Sequence, residues 1–364
     1  MKLAEKQAKK VLFLTGDNPR VGCVIVNDGK VVGQGFTQAP GEAHAEIMAL
    51  NEAGAKAKGS TVFVTLEPCS FHGRTPPCAD ALVKASVRKV VIGQMDPHPN
   101  VSGNGCEILK QAGIEVETQP LSKKAKGLNR GFLNRMETGL PYVRVKLAQS
   151  LDGRTAMANG DSVWITGKKA RQDVQVWRGR SQAILTGVDT VIHDDCRLTV
   201  RPNNLPKKFR KYAHRFDEEQ PLRVILDTNL RTPPDAKILA HTGRTVIITA
   251  TDDNDKIEAL KNAGAEIHTM PKDENGRIDL TDVLKWLGQE NINDLLVEAG
   301  ATLAGQFISN KLANQLIVYT APVLMGSSAR PLLELDIDQM AHRHHIANTK
   351  VKKIGKDWRI IADL

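Results

Sequence analysis

An α/β protein of two domains is what this sequence predicts, and three observations carry that expectation. Its 364 residues exceed what one domain of roughly 100–200 residues holds. Short β-branched segments alternate with helical ones along the chain, the layered pattern of α/β folds. Near residue 140 a basic helical stretch stops at Thr138-Gly139-Leu140-Pro141 and a new strand opens, which separates residues 1–139 from residues 140–364.

The elements follow in order. Residues 1–14 are lysine-rich with one short apolar run, Val11-Leu12-Phe13-Leu14. They read as an amphipathic helix, because a secretory signal needs an apolar region of roughly 7–15 residues and a small-residue cleavage site. Residues 21–26 and 30–35 read as strands joined by Asn27-Asp28-Gly29, whose Asp-Gly is a strong hairpin signal. A helix over residues 44–53 stops at Gly54, and a strand over residues 61–66 ends at Glu67-Pro68. Helix 78–85, strand 87–93, helix 105–112, strand 114–116 and a basic, polar-broken helix over 122–134 complete the first domain. In the second, residues 142–147, 183–187, 223–227, 245–249, 294–298 and 315–321 read as strands. Residues 202–221, charged and proline-bearing, read as a surface excursion.

Composition narrows the class. A hydrophobic fraction of 41% and a charged fraction of 25% are ordinary for a globular protein. No apolar stretch approaches the ~20 residues of a membrane-spanning helix. The five cysteines, Cys23, Cys69, Cys78, Cys106 and Cys196, are too sparse for a disulfide framework and point to a reducing cytoplasm. Cys23 and Cys106, in a strand and a helix, read as core thiols. The net charge of +9 suits nucleic acid or small phosphorylated ligands alike. The densest basic runs, 207–211 and 350–356, read as exposed loop or terminal segments carrying solvated charge.

Specific chemistry begins at His44-Ala45-Glu46 and continues at Pro68-Cys69 and Cys78. One imidazole and two thiolates make three ligands for zinc and leave the fourth tetrahedral position to water. A metal lets such water lose its proton near neutrality and attack an electron-poor ring carbon. Glu46 can carry that proton to the ring nitrogen and then to departing ammonia. H-x-E with P-C-x-x-C is the signature of zinc-dependent nucleobase deaminases. Here eight residues separate the cysteines, and the intervening loop, with Gly73, Pro76 and Pro77, can bulge out and return Cys78 to the same ion. The alternative is a structural zinc, which closes with four protein ligands, or two buried thiols. His72 is available as a fourth ligand, but Glu46 would then have no purpose.

The string Glu67-Pro68-Cys69 through Gly73-Arg74-Thr75-Pro76-Pro77-Cys78 resembles the deaminase domain of the bifunctional riboflavin-biosynthesis proteins, the RibD/RibG family. Asn18-Pro19-Arg20-Val21-Gly22-Cys23, Asp96-Pro97, Gly103 and Gly105 match other hallmarks of that domain. The resemblance implies a cytidine-deaminase-like three-layer domain, zinc on His44, Cys69 and Cys78, and Glu46 as the catalytic group. It gives Asn18 as a pyrimidine contact and Arg74 as a partner for the substrate phosphate. A plain Asn-Pro turn and a solvated loop arginine are the alternatives. In that family His is usual where this chain has Thr37 and Phe71, and Asn where it has His98. Those departures bear on ribose or phosphate recognition and leave the zinc set intact.

No G-x-G-x-x-G follows a strand, so the Rossmann fingerprint is absent. Yet Asp294-Leu295-Leu296-Val297-Glu298 leads through Ala299-Gly300 into a helical stretch. A helix entered this way offers free N–H groups to phosphate, although many α/β proteins have such a turn for packing alone. Lys146-Leu147-Ala148-Gln149-Ser150-Leu151-Asp152-Gly153-Arg154 resembles the opening of the family's reductase domain, which has a dihydrofolate-reductase-like fold. Ser162-Val163-Trp164-Ile165-Thr166, Arg178 in its Trp-Arg-Gly-Arg-Ser context, Asp194-Asp195 and Leu198-Thr199-Val200-Arg201 match further segments. By that resemblance Ala148, Trp164, Thr190, Asp194, Thr228 and the turn Gly300, Ala301, Thr302, Leu303, Ala304, Gly305, Gln306 hold NADPH. Ser162, Arg178, Leu198, Arg201 and Glu298 hold the substrate.

Arg178 and Arg201 can grip a phosphate through forked hydrogen bonds, or form surface ion pairs. Trp164 can lie against a cofactor ring or simply be core. Glu298 can bond ribose hydroxyls or cap the next helix. Lys146 and Asp195 are candidates for acid or base. The expectation is a cytoplasmic bifunctional enzyme that uses zinc to deaminate a phosphoribosylated diaminopyrimidinone, then NADPH to reduce the ribosyl group. Its partner would be a small phosphorylated pyrimidine, with no nucleic acid or membrane, and the chain would form a homo-oligomer, dimer or tetramer. Two other classes stay open: a nucleic-acid-editing deaminase, supported by the charge, and a zinc-stabilised regulatory protein with decayed catalysis, encouraged by Thr37 and Phe71.

Overall fold

Each of two units, Met1–Leu140 and Pro141–Leu364, is built around its own large sheet. The computed structural model describes residues 1–13, 16–73, 75–98, 101–161 and 164–364. Among these, no helix is long and apolar enough to cross a membrane.

The first unit runs α1 (Lys2–Ala8), β1 (Gly22–Asn27), β2 (Lys30–Phe36), α2 (Ala45–Ala53), β3 (Thr61–Val64), α3 (Cys78–Lys84), β4 (Lys89–Ile92), α4 (Asn104–Gln111), β5 (Glu115–Thr118), α5 (Lys123–Lys126) and α6 (Arg130–Thr138). The strands are ordered β2-β1-β3-β4-β5, antiparallel around β1 and parallel beyond β3. Asp28 and Gly29 both take the left-handed backbone (φ 49° and 73°) that a tight hairpin turn requires. Cys23, Ile25, Val62 and Val64 alternate toward a core completed by Ala45, Ala49 and Ala53 of α2 and Leu82 of α3. Gly33 and Gly35 let α2 lie directly on β2, since a Cβ there would run into the carbonyl oxygens of Ala49 and Ala45. The basic stretch expected as one helix breaks into α5 and α6. Asn129 at the break is spent on Arg20, accepting from its N–H (2.8 Å) and donating to its carbonyl (3.1 Å).

The second unit runs β6 (Tyr142–Gln149), β7 (Arg154–Ala156), α7 (Lys168–Arg180), β8 (Ala183–Gly187), α8 (Val188–Asp194), α9 (Arg215–Glu218), β9 (Leu222–Leu226), β10 (Thr245–Thr249), α10 (Asn254–Asn262), β11 (Glu266–Thr269), α11 (Leu280–Gln289), β12 (Asp294–Val297), α12 (Ala301–Ser309), β13 (Gln315–Thr320), β14 (Arg330–Pro331), β15 (Ala347–Ile354) and β16 (Asp357–Asp363). Its nine-stranded sheet is ordered β11-β10-β9-β8-β12-β6-β13-β16-β15 and is parallel from β11 to β13. Ile184, Ile225, Ile247, Leu296 and Ile317 form the centre of its core. Residues 202–221 make short helical turns pinned by buried Leu205 and Phe216. The basic run at 350–356, expected as an exposed loop or terminal segment, forms the end of β15 and the turn into β16. Its lysines line an exposed edge strand, where repeated charge opposes pairing with another chain.

Candidate active sites

In the first unit the ends of two helices and one loop meet. His44 is the N-cap of α2, with extended backbone, and Glu46 lies in that helix's first turn. Cys69 follows β3, and Cys78 is the first residue of α3. His44 Nδ1 stands 3.3 Å from Cys78 Sγ and 3.6 Å from Cys69 Sγ. One ligand atom from each of the three residues lies within 4.8 Å of the others. His44 Nε2 faces the Thr75 hydroxyl at 3.5 Å, so Nδ1 is the nitrogen left for a metal. The Cys78 backbone N–H donates to Cys69 Sγ at 3.3 Å, as suits a thiolate at a helix N-terminus.

The Cys78 thiol, with His44, draws the Cys69 thiol down to about 4, while hydrogen bonding to Cys69 and burial push Cys78 up. Burial raises the Glu46 carboxyl to about 7, with the charge of Cys69 adding to the effect. Two thiols and an imidazole fit zinc, and three ligands suit a catalytic rather than a closed structural centre.

A residue that sequence reasoning passed over holds this cluster in place. The Glu67 carboxylate accepts backbone N–H groups from Asp96 (3.3 Å), Gly103 (3.1 Å) and Cys106 (3.2 Å), fixing the chain just ahead of Cys69. Gly105 sits against the Pro68 carbonyl with no room for a Cβ. Thr37 is buried, and its Oγ1 accepts the Val21 N–H at 3.1 Å. Phe71 stacks on His98, ring centroids 5.2 Å apart and 14° from parallel. Asn18 is half-buried in the loop ahead of β1, and Arg74 lies outside the described residues.

In the second unit a cavity of about 1010 Å³ opens beyond the carboxyl ends of the parallel strands, where open α/β sheets hold their ligands. Ala148, Thr190, Asp194, Thr228, Gly300, Ala301, Thr302, Leu303 and Gln306 line it, as do Arg178, Leu198 and Glu298. Gly300 caps α12 without a side-chain hydrogen bond, which leaves that helix's first N–H groups to the cavity. Ala304 and Gly305 face the protein instead, Gly305 directly against the Glu334 carbonyl. Trp164 is not in the wall; it is 65% exposed, with the Arg171 guanidinium 4.2 Å over its ring. Arg201 lines a separate cavity of about 430 Å³. Ser162 lies outside the described residues.

Of the two readings of Arg178, a phosphate grip or an ion pair, the structure shows a pair, and a buried one. Its Nε and Nη2 donate to the Glu298 carboxylate at 2.6 and 3.1 Å, and its Nη1 to the Thr199 carbonyl at 3.0 Å. Lys146 Nζ stands 3.3 Å from the same carboxylate. Burial alone would raise Glu298, but Arg178 and Lys146 outweigh it and bring the carboxyl down to about 2. Glu298 is thus a buried counter-ion and no helix cap. Asp195 pairs with Lys237 and lies outside the cavity wall, so Lys146 is the one of the two acid–base candidates that faces the cavity.

Residues 141–360 match the family described as the RibD C-terminal domain, and residues 1–94 match the cytidine and deoxycytidylate deaminase zinc-binding region. The riboflavin biosynthesis protein RibD of Escherichia coli (strain K12) is 45% identical, with 98% of this chain and 96% of that protein aligned. A solved structure of Acinetobacter baumannii RibD superposes with a TM-score of 0.89 at 44% identity, covering 100% of this chain and 97% of that one. A Thermotoga maritima structure, described as a diaminohydroxyphosphoribosylaminopyrimidine deaminase/5-amino-6-(5-phosphoribosylamino)uracil reductase, gives 0.84 at 29% identity with the same coverage.

Proposed function

The chain belongs to the RibD family of riboflavin-biosynthesis proteins, and on that premise we propose how its units divide a two-step reaction. It is a bifunctional deaminase and reductase of riboflavin biosynthesis. The first unit hydrolyses the 2-amino group of 2,5-diamino-6-(5-phosphoribosylamino)pyrimidin-4(3H)-one. The second reduces the ribosyl group of the product to ribityl, giving 5-amino-6-(5-phosphoribitylamino)uracil. The convergence of His44 Nδ1 with the sulfurs of Cys69 and Cys78 beside buried Glu46 is the observation that carries the reading.

Zinc held by that trio supplies the acidity that makes water a nucleophile near neutral pH. Thr75 holds the far nitrogen of His44, and Glu67 holds the loop of Cys69. Glu46 takes one proton from the attacking water and gives it to the ring nitrogen, then moves the remaining hydroxyl proton to the amino group, which leaves as ammonia. When bound in the second unit, NADPH would supply the hydride that reduces C1′ of the sugar. The N–H groups at the start of α12 would hold its pyrophosphate. Arg178 and Glu298 form the charged floor beneath the sugar, and Lys146 gives a proton to the ring oxygen as the ribose opens. The same reading puts the enzyme in the cytoplasm as a homo-oligomer, which light scattering checks.

Zinc-loaded protein given the diaminopyrimidinone substrate is expected to release ammonia and then oxidise NADPH in proportion. Absence of both reactions overturns the proposal.

A further inference from the structure

One end of the reductase cavity carries basic side chains on its wall. Two groups of residues define the cavity's direction. Lys146, Arg178 and Glu298 cluster beside β6 and β12, and this is where sugar and nicotinamide must meet. The N-terminus of α12 follows β12 directly, so the pyrophosphate lies close to that strand. Beyond come β8 and β9, three strand steps from β6. At ~4.8 Å per step these span roughly 14 Å, room for the remainder of an extended dinucleotide. The adenosine therefore falls at the end of β9, where Leu226, Ile278 and Leu280 give the wall an apolar patch suited to adenine.

The turn after β9 is built to present polar groups at this spot. The buried Asp227 carboxylate accepts the N–H of Arg231 (2.9 Å) and the N–H and hydroxyl of Thr232 (both 2.7 Å). Leu230 is held in the left-handed region at φ 50° with its side chain buried. A branched residue stays there only when its surroundings impose it. The result is that Thr228, Asn229 and Arg231 all face the cavity. Arg231 Nη2 meets Asp189 of α8 at 2.7 Å, with both side chains largely exposed. Such a pair gains little from its own attraction, so a doubly charged ligand can compete for the arginine. Arg277 stands on the same wall, with no ion pair among the described residues.

We propose that Arg231, with Arg277 beside it, binds the 2′-phosphate of NADPH, and that Asp189 holds Arg231 ready in the free enzyme. An acidic side chain at this point of a dinucleotide site favours a free 2′-hydroxyl, and an arginine favours a 2′-phosphate. Here both are present and already paired, so the phosphate takes over a guanidinium that Asp189 has positioned. The inference deepens the NADPH reading above and rests on it.

Four ligands separate the outcomes: NADPH, NADH, adenosine 2′,5′-bisphosphate and adenosine 5′-monophosphate, titrated by calorimetry with no turnover. Arg231→Gln is expected to weaken NADPH and the bisphosphate by about tenfold to a hundredfold, the range for a lost charge-assisted hydrogen bond, with NADH and the monophosphate unmoved. Arg231→Lys should fall between wild type and the glutamine variant. Asp189→Asn, which frees the arginine and removes a nearby negative charge, should tighten the bisphosphate. If Arg231→Gln weakens NADPH and NADH alike, or neither, the assignment of Arg231 is wrong and the NADPH reading stands. If the wild-type protein binds neither NADPH nor the bisphosphate, the NADPH reading itself fails.

Discussion

The two candidate sites are assembled in opposite ways. In the first unit three atoms from residues 44, 69 and 78 converge within 4.8 Å, and the buried Glu46 carboxylate lies two residues from one of them. In the second unit the polar groups spread along the ends of several strands around about 1010 Å³, and the most buried of them neutralise one another. A metal needs a point and a few donors of the right type. A dinucleotide and a sugar phosphate need a long surface, most of it supplied by backbone and apolar side chains. It follows that loss of a single group should affect the two units differently: in the first it should remove chemistry and spare the fold, and in the second it should disturb both.

Glu46→Gln is the sharpest way to break that comparison. The amide cannot move the proton, so ammonia release should fall by about 10²–10⁴-fold. Zinc content by elemental analysis and the affinity for NADPH should stay at wild-type values. Chelation of the metal should likewise stop ammonia release and leave NADPH binding intact. Loss of zinc in the glutamine variant would mean that the carboxylate is a ligand and the site a closed structural one.

Glu298→Gln tests the other side. It leaves Arg178 and Lys146 buried without their counter-ion, a loss of about 3–5 kcal/mol. The melting temperature of the second unit should drop, and reductase activity with it. The folded carboxyl, at about 2, lies below an unfolded value of about 4.3. Its stabilisation is therefore complete above the unfolded value and is lost as pH falls toward the folded one. The melting difference between wild type and variant should narrow as pH drops through that window. A difference independent of pH would show that the ion pair is not its cause.

Gly35→Ala should have a smaller, mixed effect. The new Cβ runs into the Ala45 carbonyl and pushes the first turn of α2 away from β2, costing about 1–3 kcal/mol. Because His44 and Glu46 ride on that turn, zinc affinity should weaken in parallel with stability. Gly35 also marks a boundary of what sequence can convey. The Asp28-Gly29 turn and the His-x-Glu pattern are legible because local residue types determine them. Gly35 has no local signal, since its need arises only when a helix packs on it. Glu67 is hidden for the same reason: its three amide donors come from residues 96, 103 and 106. Arg178 resembles a free phosphate grip until the fold brings Glu298, 120 positions away, onto its fork. The β15–β16 hairpin is masked by lysines that suit an edge strand and a loop equally well.

The smallest effect concerns Phe71 and His98, which the fold brings together as one stacked pair. Stacking of this kind contributes about 0.5–1.5 kcal/mol beyond simple burial. Phe71 lies two positions after Cys69, and His98 two positions after Asp96, whose amide is tied to the Glu67 carboxylate. The stack therefore links the loop after Cys69 to the loop after Asp96. Phe71→Ala should raise the KM for deamination by a few-fold to about tenfold, as that energy range implies, with zinc content unchanged. Restoring an aromatic ring with Phe71→Tyr should recover most of the loss, and Phe71→His should do the same if stacking alone matters. Recovery by His but not by Tyr would show instead that a polar imidazole at this position contacts the substrate, and that the stack is incidental.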